Sequence, residues 1–128
     1  MNHQFPLRVY YEDTDLAGLV YYANYLKFIE RARSEWVRAL GVDQVEMKAQ
    51  GFVFAVRRVE ADYIAAARYD DALVVESTMV ENTGVRLVFQ QDVKRDDLTL
   101  FSALVTVVCL TTEGAVARLP AVLRRSVH

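Results

Sequence analysis

The sequence predicts an α+β domain in which one long helix is laid against an antiparallel sheet. Two observations carry this. Across residues 25–40 the apolar side chains Phe28, Ile29, Ala32, Trp36, Val37 and Leu40 recur at the spacing of one broad helical face. After Gly51 the period changes from helical to alternating, and turn residues near Asp71, Asn82 and Lys94 cut the rest of the chain into long strands in hairpin order.

The first strand is residues 4–11, where Phe5, Leu7 and Val9 alternate with Arg8 and Tyr10 before an acidic loop. Asn24 is the expected N-cap of the helix and Gly41 its stop, while Arg31, Glu35 and Arg38 can pair along the solvated face. Residues 42–50 add a short helical turn. Residues 52–63 open with five successive apolar side chains, Phe52 to Val56, and then alternate Val59, Ala61 and Tyr63 with Arg58, Glu60 and Asp62. The first half of that strand is therefore expected to be covered on both faces. Strands over 73–81 and 85–93 follow, the second with Val85, Leu87 and Phe89 inward. Residues 98–110 are apolar on both faces, as a central strand would be, and a last short strand precedes Pro120. There is no repeat or linker, so residues 1–128 read as one domain. A single helix covers one sheet face only, so the remaining apolar strand predicts a homo-oligomer, at least a dimer.

Composition narrows the function. A net charge of −2 lacks the basic balance of a nucleic-acid binder. The N-terminus has no basic segment followed by an apolar run, and residues 98–110 are too short to span a bilayer and contain Thr99, Ser102 and Thr106. A cytoplasmic protein without membrane insertion is expected. The one cysteine, Cys109, sits in an apolar strand and reads as a buried small hydrophobe. The two histidines, His3 and His128, lie beside the chain ends, which argues against a histidine-dependent triad or a histidine-ligated metal. No metal or cofactor is expected. The working groups should be carboxylates and backbone amides.

Residues 11–25 hold such groups together. Glu12, Asp13 and Asp15 precede Gly18, and the helix follows at once. A helix N-terminus leaves its first N–H groups unpaired and carries partial positive charge, so it can hold an oxygen on which negative charge develops. An aspartate just upstream can act as nucleophile, or as base toward water. On the residues alone Asp13 and Asp15 qualify equally. A calcium loop does not fit, because Ala17 and Asn24 stand where an oxygen ligand and a bidentate glutamate are needed.

Tyr11, Glu12, Asp13, Thr14 and Asp15, then Gly18 and the run from Val20 to Tyr25, followed by Phe28, Ile29, Glu30, Arg31, Ala32 and Arg33, and later Ala67, Arg68, Tyr69, Asp70 and Asp71, together resemble the hotdog-fold acyl-CoA thioesterases. The chain looks closest to the Tol-Pal-associated members and, more distantly, is similar to 4-hydroxybenzoyl-CoA thioesterase. The resemblance covers nearly the whole chain. It implies a helix wrapped by a sheet of about five antiparallel strands, dimers or dimers of dimers, and an active site between subunits. It also implies Asp15 as the catalytic carboxylate and the Tyr22 amide as the donor to the thioester oxygen. Tol-Pal-associated members usually carry histidine at Tyr22, and a proline where this chain has Ala66.

The expected reaction is hydrolysis of an acyl-CoA to a carboxylic acid and free CoA. Gly18 and Tyr25 are expected at the substrate, with Arg86 and Arg118 as candidates for the CoA phosphates because guanidinium forks match phosphate oxygens. Acyl carrier protein is a possible partner. The rival readings are a non-catalytic adaptor that binds acyl-CoA or acyl carrier protein near envelope machinery, and a hotdog hydratase, which the lack of an interior histidine disfavours.

Overall fold

The computed structural model describes residues 2–125. The elements are β1 (Asn2–Arg8), a single 3-10 turn at Tyr11–Asp13, α1 (Asn24–Ala39), α2 (Gln44–Ala49), β2 (Phe52–Tyr63), β3 (Ala72–Asn82), β4 (Arg86–Arg95), β5 (Leu98–Thr111), β6 (Val116–Ala117) and the short α3 (Ala121–Arg124). All strand pairs are antiparallel, in the order β1-β3-β4-β5-β2. β6 pairs with β5 at Cys109 and Leu110, beyond the point where β4 has ended at Arg86.

The helical face read from the sequence is the one that packs. Phe28, Ile29, Ala32, Trp36 and Val37 are buried, and Tyr25 joins them one turn earlier. The inward residues of the sheet are Leu73 and Val75 on β3, Leu87, Phe89 and Val93 on β4, and Leu100, Phe101, Ala103, Val105, Val107 and Cys109 on β5. Cys109 is thus the buried small hydrophobe it was expected to be, and burial raises its thiol pKa. One polar group crosses this core. The Gln91 amide, fully buried, donates to the Ile29 carbonyl and to Ser77 Oγ, both at 2.9 Å, and its oxygen accepts from Arg33 at 2.9 Å. Every polar atom of that side chain is satisfied, so its hydrogen bonds offset the cost of burying it and tie the middle of α1 to the sheet.

Four expectations change. The first strand, expected over residues 4–11, runs from Asn2 to Arg8, and Tyr11 opens the 3-10 turn instead. Val85, expected to face inward, is exposed just before β4 begins. β2, predicted to be covered on both faces at Phe52 to Val56, is an edge strand. Phe52 and Val56 are exposed and most of the strand beyond them is too. Its apolar run is therefore unburied within one chain. Asn24 is not the N-cap: that position is Ala23, with no side-chain cap, and the Asn24 amide instead reaches back to the Asp13 carbonyl at 2.9 Å. Pro6 sits within β1, which is tolerated because β1 is the opposite edge of the sheet. No described helix is long and apolar enough to cross a membrane.

Candidate active site

The acidic loop is a small hairpin. The Gly18 N–H donates to the Asp15 carbonyl and the Asp15 N–H to the Leu19 carbonyl, both at 2.9 Å, and Thr14 bridges Val20. Closing this turn needs a left-handed residue, which Gly18 supplies at φ +79°. Gly18 therefore shapes the loop, and its N–H is used within it. A Cβ at this position would meet nothing within 4 Å, so the cost of Gly18→Ala is conformational alone. We expect it to lower stability by about 1 kcal/mol, measured by urea unfolding.

The geometry separates the two aspartates. Asp13 Oδ2 accepts from the Tyr10 N–H at 2.8 Å, and its carbonyl accepts from the Tyr21 N–H and the Asn24 side chain, each at 2.9 Å. Asp13 is the internal brace of the loop. Asp15 is exposed, and the one hydrogen bond of its side chain among the described residues is Oδ1 accepting from the Ala17 N–H at 2.9 Å, so Oδ2 stays open. It joins no ion pair among the described residues.

At the other end of the loop the chain turns into α1. The Asn24 N–H donates to the Tyr21 carbonyl at 2.8 Å, and the N–H groups of Tyr22 and Ala23 find no acceptor among the described residues. Tyr22 is exposed, as are Tyr10, Tyr11, Leu16 and Tyr21 of the same loop and Tyr63, Ile64 and Tyr69, and its ring packs against Tyr21 and Tyr63. None of three principal cavities among the described residues is lined by Asp15 or Tyr22.

The loop is held from behind by the turn at Ala66 to Asp71. Leu19 bridges Arg68, the Val20 N–H donates to the Ala67 carbonyl at 2.8 Å, and the Ala67 N–H donates to the Tyr25 hydroxyl at 3.0 Å. Tyr25, expected at the substrate, is buried within the chain, stacked on Phe101 with ring centroids 5.0 Å apart. Burial raises its pKa, opposed by the Ala67 bond, so the hydroxyl stays neutral. Asp71 completes the clamp. Its Oδ2 accepts from the Arg68 N–H and from Arg95, both at 2.8 Å, while the Val9 N–H donates to its carbonyl at 2.9 Å.

Partial burial raises the Asp71 pKa, but the bonds from Arg68 and Arg95 and their charges outweigh it, and the net shift is downward. A carboxyl depressed in the folded state stabilises above its ordinary value and loses that contribution as pH falls through the folded value. Stability is therefore expected to drop on acidification below the ordinary carboxylate range. Asp71→Asn should flatten that part of the melting temperature profile and lower stability at neutral pH. Neither Asp71 nor Arg95 stood out as working groups in the sequence; the carboxylate pair in the turn was visible, but its cation lies 24 residues away.

Arg86 and Arg118 lie elsewhere. Arg86 forms an ion pair with Glu81 and faces Val108, whereas the loop packs near Phe101. Seven residues of strand separate those two points, about 23 Å. Arg118 lines a cavity of about 510 Å³ with Asp43, Met47, Phe52, Cys109 and Arg124, beside β6. Within one chain neither guanidinium reaches the acidic loop. Glu30 is exposed and accepts from Ser34 at 2.6 Å. His3 lies in β1, stacked on Trp36 at 5.9 Å, and His128 falls outside the described residues.

A long helix inside an antiparallel sheet, entered through an acidic hairpin that ends on unpaired amides, is the hotdog arrangement. The chain belongs to the thioesterase superfamily, whose family model matches residues 17–102. It is 45% identical over 107 residues to the acyl-CoA thioesterase YbgC of Haemophilus influenzae, covering 83% of this chain and 79% of that one. The acyl-CoA thioester hydrolase YbgC of Shigella flexneri is 42% identical over 108 residues, covering 84% and 81%. Among solved structures, a probable thioesterase from Bartonella henselae has TM-score 0.89 at 34% identity and covers 94% of this chain and all of its own. A variant of 4-hydroxybenzoyl CoA thioesterase with 4-hydroxybenzoyl CoA bound has TM-score 0.87 at 21% identity, covers 95% of each chain, and shares the fold.

Proposed function

We propose that this chain hydrolyses acyl-CoA thioesters to a carboxylic acid and free CoA, with Asp15 as the catalytic carboxylate and the Tyr22 N–H as donor to the thioester oxygen. The observation that carries this is the pairing, at the two ends of one hairpin, of an uncommitted carboxylate oxygen and an amide without an acceptor. An amide held at a helix start stabilises the tetrahedral oxyanion more than the ground-state carbonyl, and such a donor is worth roughly 3–4 kcal/mol of the barrier. The names of the relatives at 45% and 42% identity support the same substrate class.

Asp15 can do the chemistry in two ways. As nucleophile it attacks the carbonyl, expels the CoA thiolate and leaves a mixed anhydride that water opens. As base it takes a proton from the water that attacks. A single turnover in ¹⁸O water separates them, because only the anhydride route can leave label in the aspartate.

The exposed aromatic side chains around the loop and the unpaired β2 edge support a site completed by a second copy, in a dimer or a dimer of dimers joined through β2. We place the enzyme in the cytoplasm, acting on acyl-CoA and, as a second donor class, on acyl carrier protein thioesters. The test is thiol release over short, long and aromatic acyl-CoAs, with sedimentation velocity on the same sample. Tight acyl-CoA binding with no thiol released would overturn this reading in favour of the adaptor associated with Tol-Pal envelope machinery.

A further inference from the structure

Tyr63 ends β2 and faces Phe101 across the ladder. Its ring packs against Phe101 at 4.9 Å, Tyr25 at 5.7 Å and Tyr22 at 6.1 Å, so its direction is fixed from three sides. Its hydroxyl donates to the Tyr22 carbonyl at 3.0 Å. That oxygen belongs to the peptide whose other end is the Ala23 N–H.

Two consecutive peptides at the start of α1 are therefore held in the same manner. In the first, the Tyr21 carbonyl accepts from the Asn24 N–H at 2.8 Å and the Tyr22 N–H is open; in the second, the Tyr22 carbonyl accepts from Tyr63 and the Ala23 N–H is open. Both peptides are trans, so in each unit the N–H leaves on the side opposite its bonded carbonyl. A hydrogen bond accepted at the carbonyl also polarises the N–H across the amide. Ala23 has no polar side-chain group to do this work, and the helix has no side-chain cap.

We infer that Tyr63 is a positioning residue: its hydroxyl pins and polarises the Tyr22–Ala23 peptide, so that the open Ala23 N–H stands beside the open Tyr22 N–H as a second donor to the thioester oxygen when substrate arrives. The assignment rests on the thioesterase reading and deepens it. Tyr63 touches no reacting atom and acts through the peptide alone. Burial and the neighbouring Tyr22 and Tyr25 raise its pKa, which keeps the hydroxyl a donor at neutral pH.

The experiment is Tyr63→Phe, assayed for thiol release beside the unsubstituted chain. The ring and its packing remain, and only the donor goes. We expect kcat to fall about tenfold, the effect of roughly 1.4 kcal/mol on the barrier, with KM and melting temperature little changed. A chain carrying 3,5-difluorotyrosine at position 63, assayed below the pH at which that phenol ionises, has a stronger donor in the same place and should match or exceed the native kcat. A purely structural role would not give that pair of results. Unchanged kcat in Tyr63→Phe, or a loss that tracks a fall in melting temperature and is not reversed in the fluorinated chain, would overturn the assignment alone. No thiol release from the unsubstituted chain would overturn the thioesterase reading, and this assignment with it.

Discussion

Asp15→Asn is expected to lower kcat about a thousandfold while leaving KM and stability near their native values. Asparagine keeps the size of the side chain and an oxygen for the Ala17 N–H bond, so the hairpin survives the change. What it removes is the charge and the basic oxygen that faces solvent. The same substitution at Asp13 should behave in the opposite way. Its carboxylate oxygen braces the Tyr10 N–H, and Asp13→Asn would disturb loop geometry without deleting the reacting group. Thiol-release kinetics and a melting curve on both variants check the pair. Release from Asp15→Asn at a rate comparable to the native chain would remove Asp15 from the mechanism.

Phe101→Ala is expected to cost about 3–5 kcal/mol of stability, the range for deleting a fully buried aromatic ring. Phe101 is completely buried and is the plate on which Tyr25 stacks and Tyr63 leans. Its loss should therefore reach the site as well, since the Tyr25 hydroxyl carries the Ala67 N–H and Ala67 in turn carries Val20. Leu87→Ala, at the far end of the same core, is the control. It should be destabilised by about 2–5 kcal/mol yet keep its kcat under folding conditions. Urea unfolding and kcat measured together separate the two variants; equal kcat in both would show that the aromatic stack does not support the loop.

The helix was legible because its buried stripe, Phe28 to Val37, is a strictly local pattern. The same holds for the strands from Ala72 to Thr111, whose bounds moved by a residue or two. β2 was legible as a strand but not by place, because an apolar run reads alike at the centre of a sheet and at an edge awaiting another surface. At the site, the hairpin and its glycine were visible from residue types, and the resemblance favoured Asp15. What distinguishes Asp15 from Asp13 is which oxygens are already occupied, a property of three dimensions. The burial of Tyr25 was not legible locally either: its neighbours in sequence are exposed tyrosines, and only the helical phase turns it inward. Arg95, Tyr63 and the buried Gln91 carried no local signal at all, since each acts on residues at least 14 positions away.

The clamp behind the acidic hairpin joins early and late parts of the chain. Arg8 grips Asp70 across 62 positions, and Asp71 depends on Arg95. Contacts of such long sequence separation form slowly and only after much of the chain has been ordered. Asp15 is made early in synthesis yet has no fixed aim until Arg95 has emerged and the later strands have paired. With Asp15 as the proposed catalytic carboxylate, catalysis is gated by completion of folding, and a chain interrupted before the later strands have formed is expected to be inert toward thioesters.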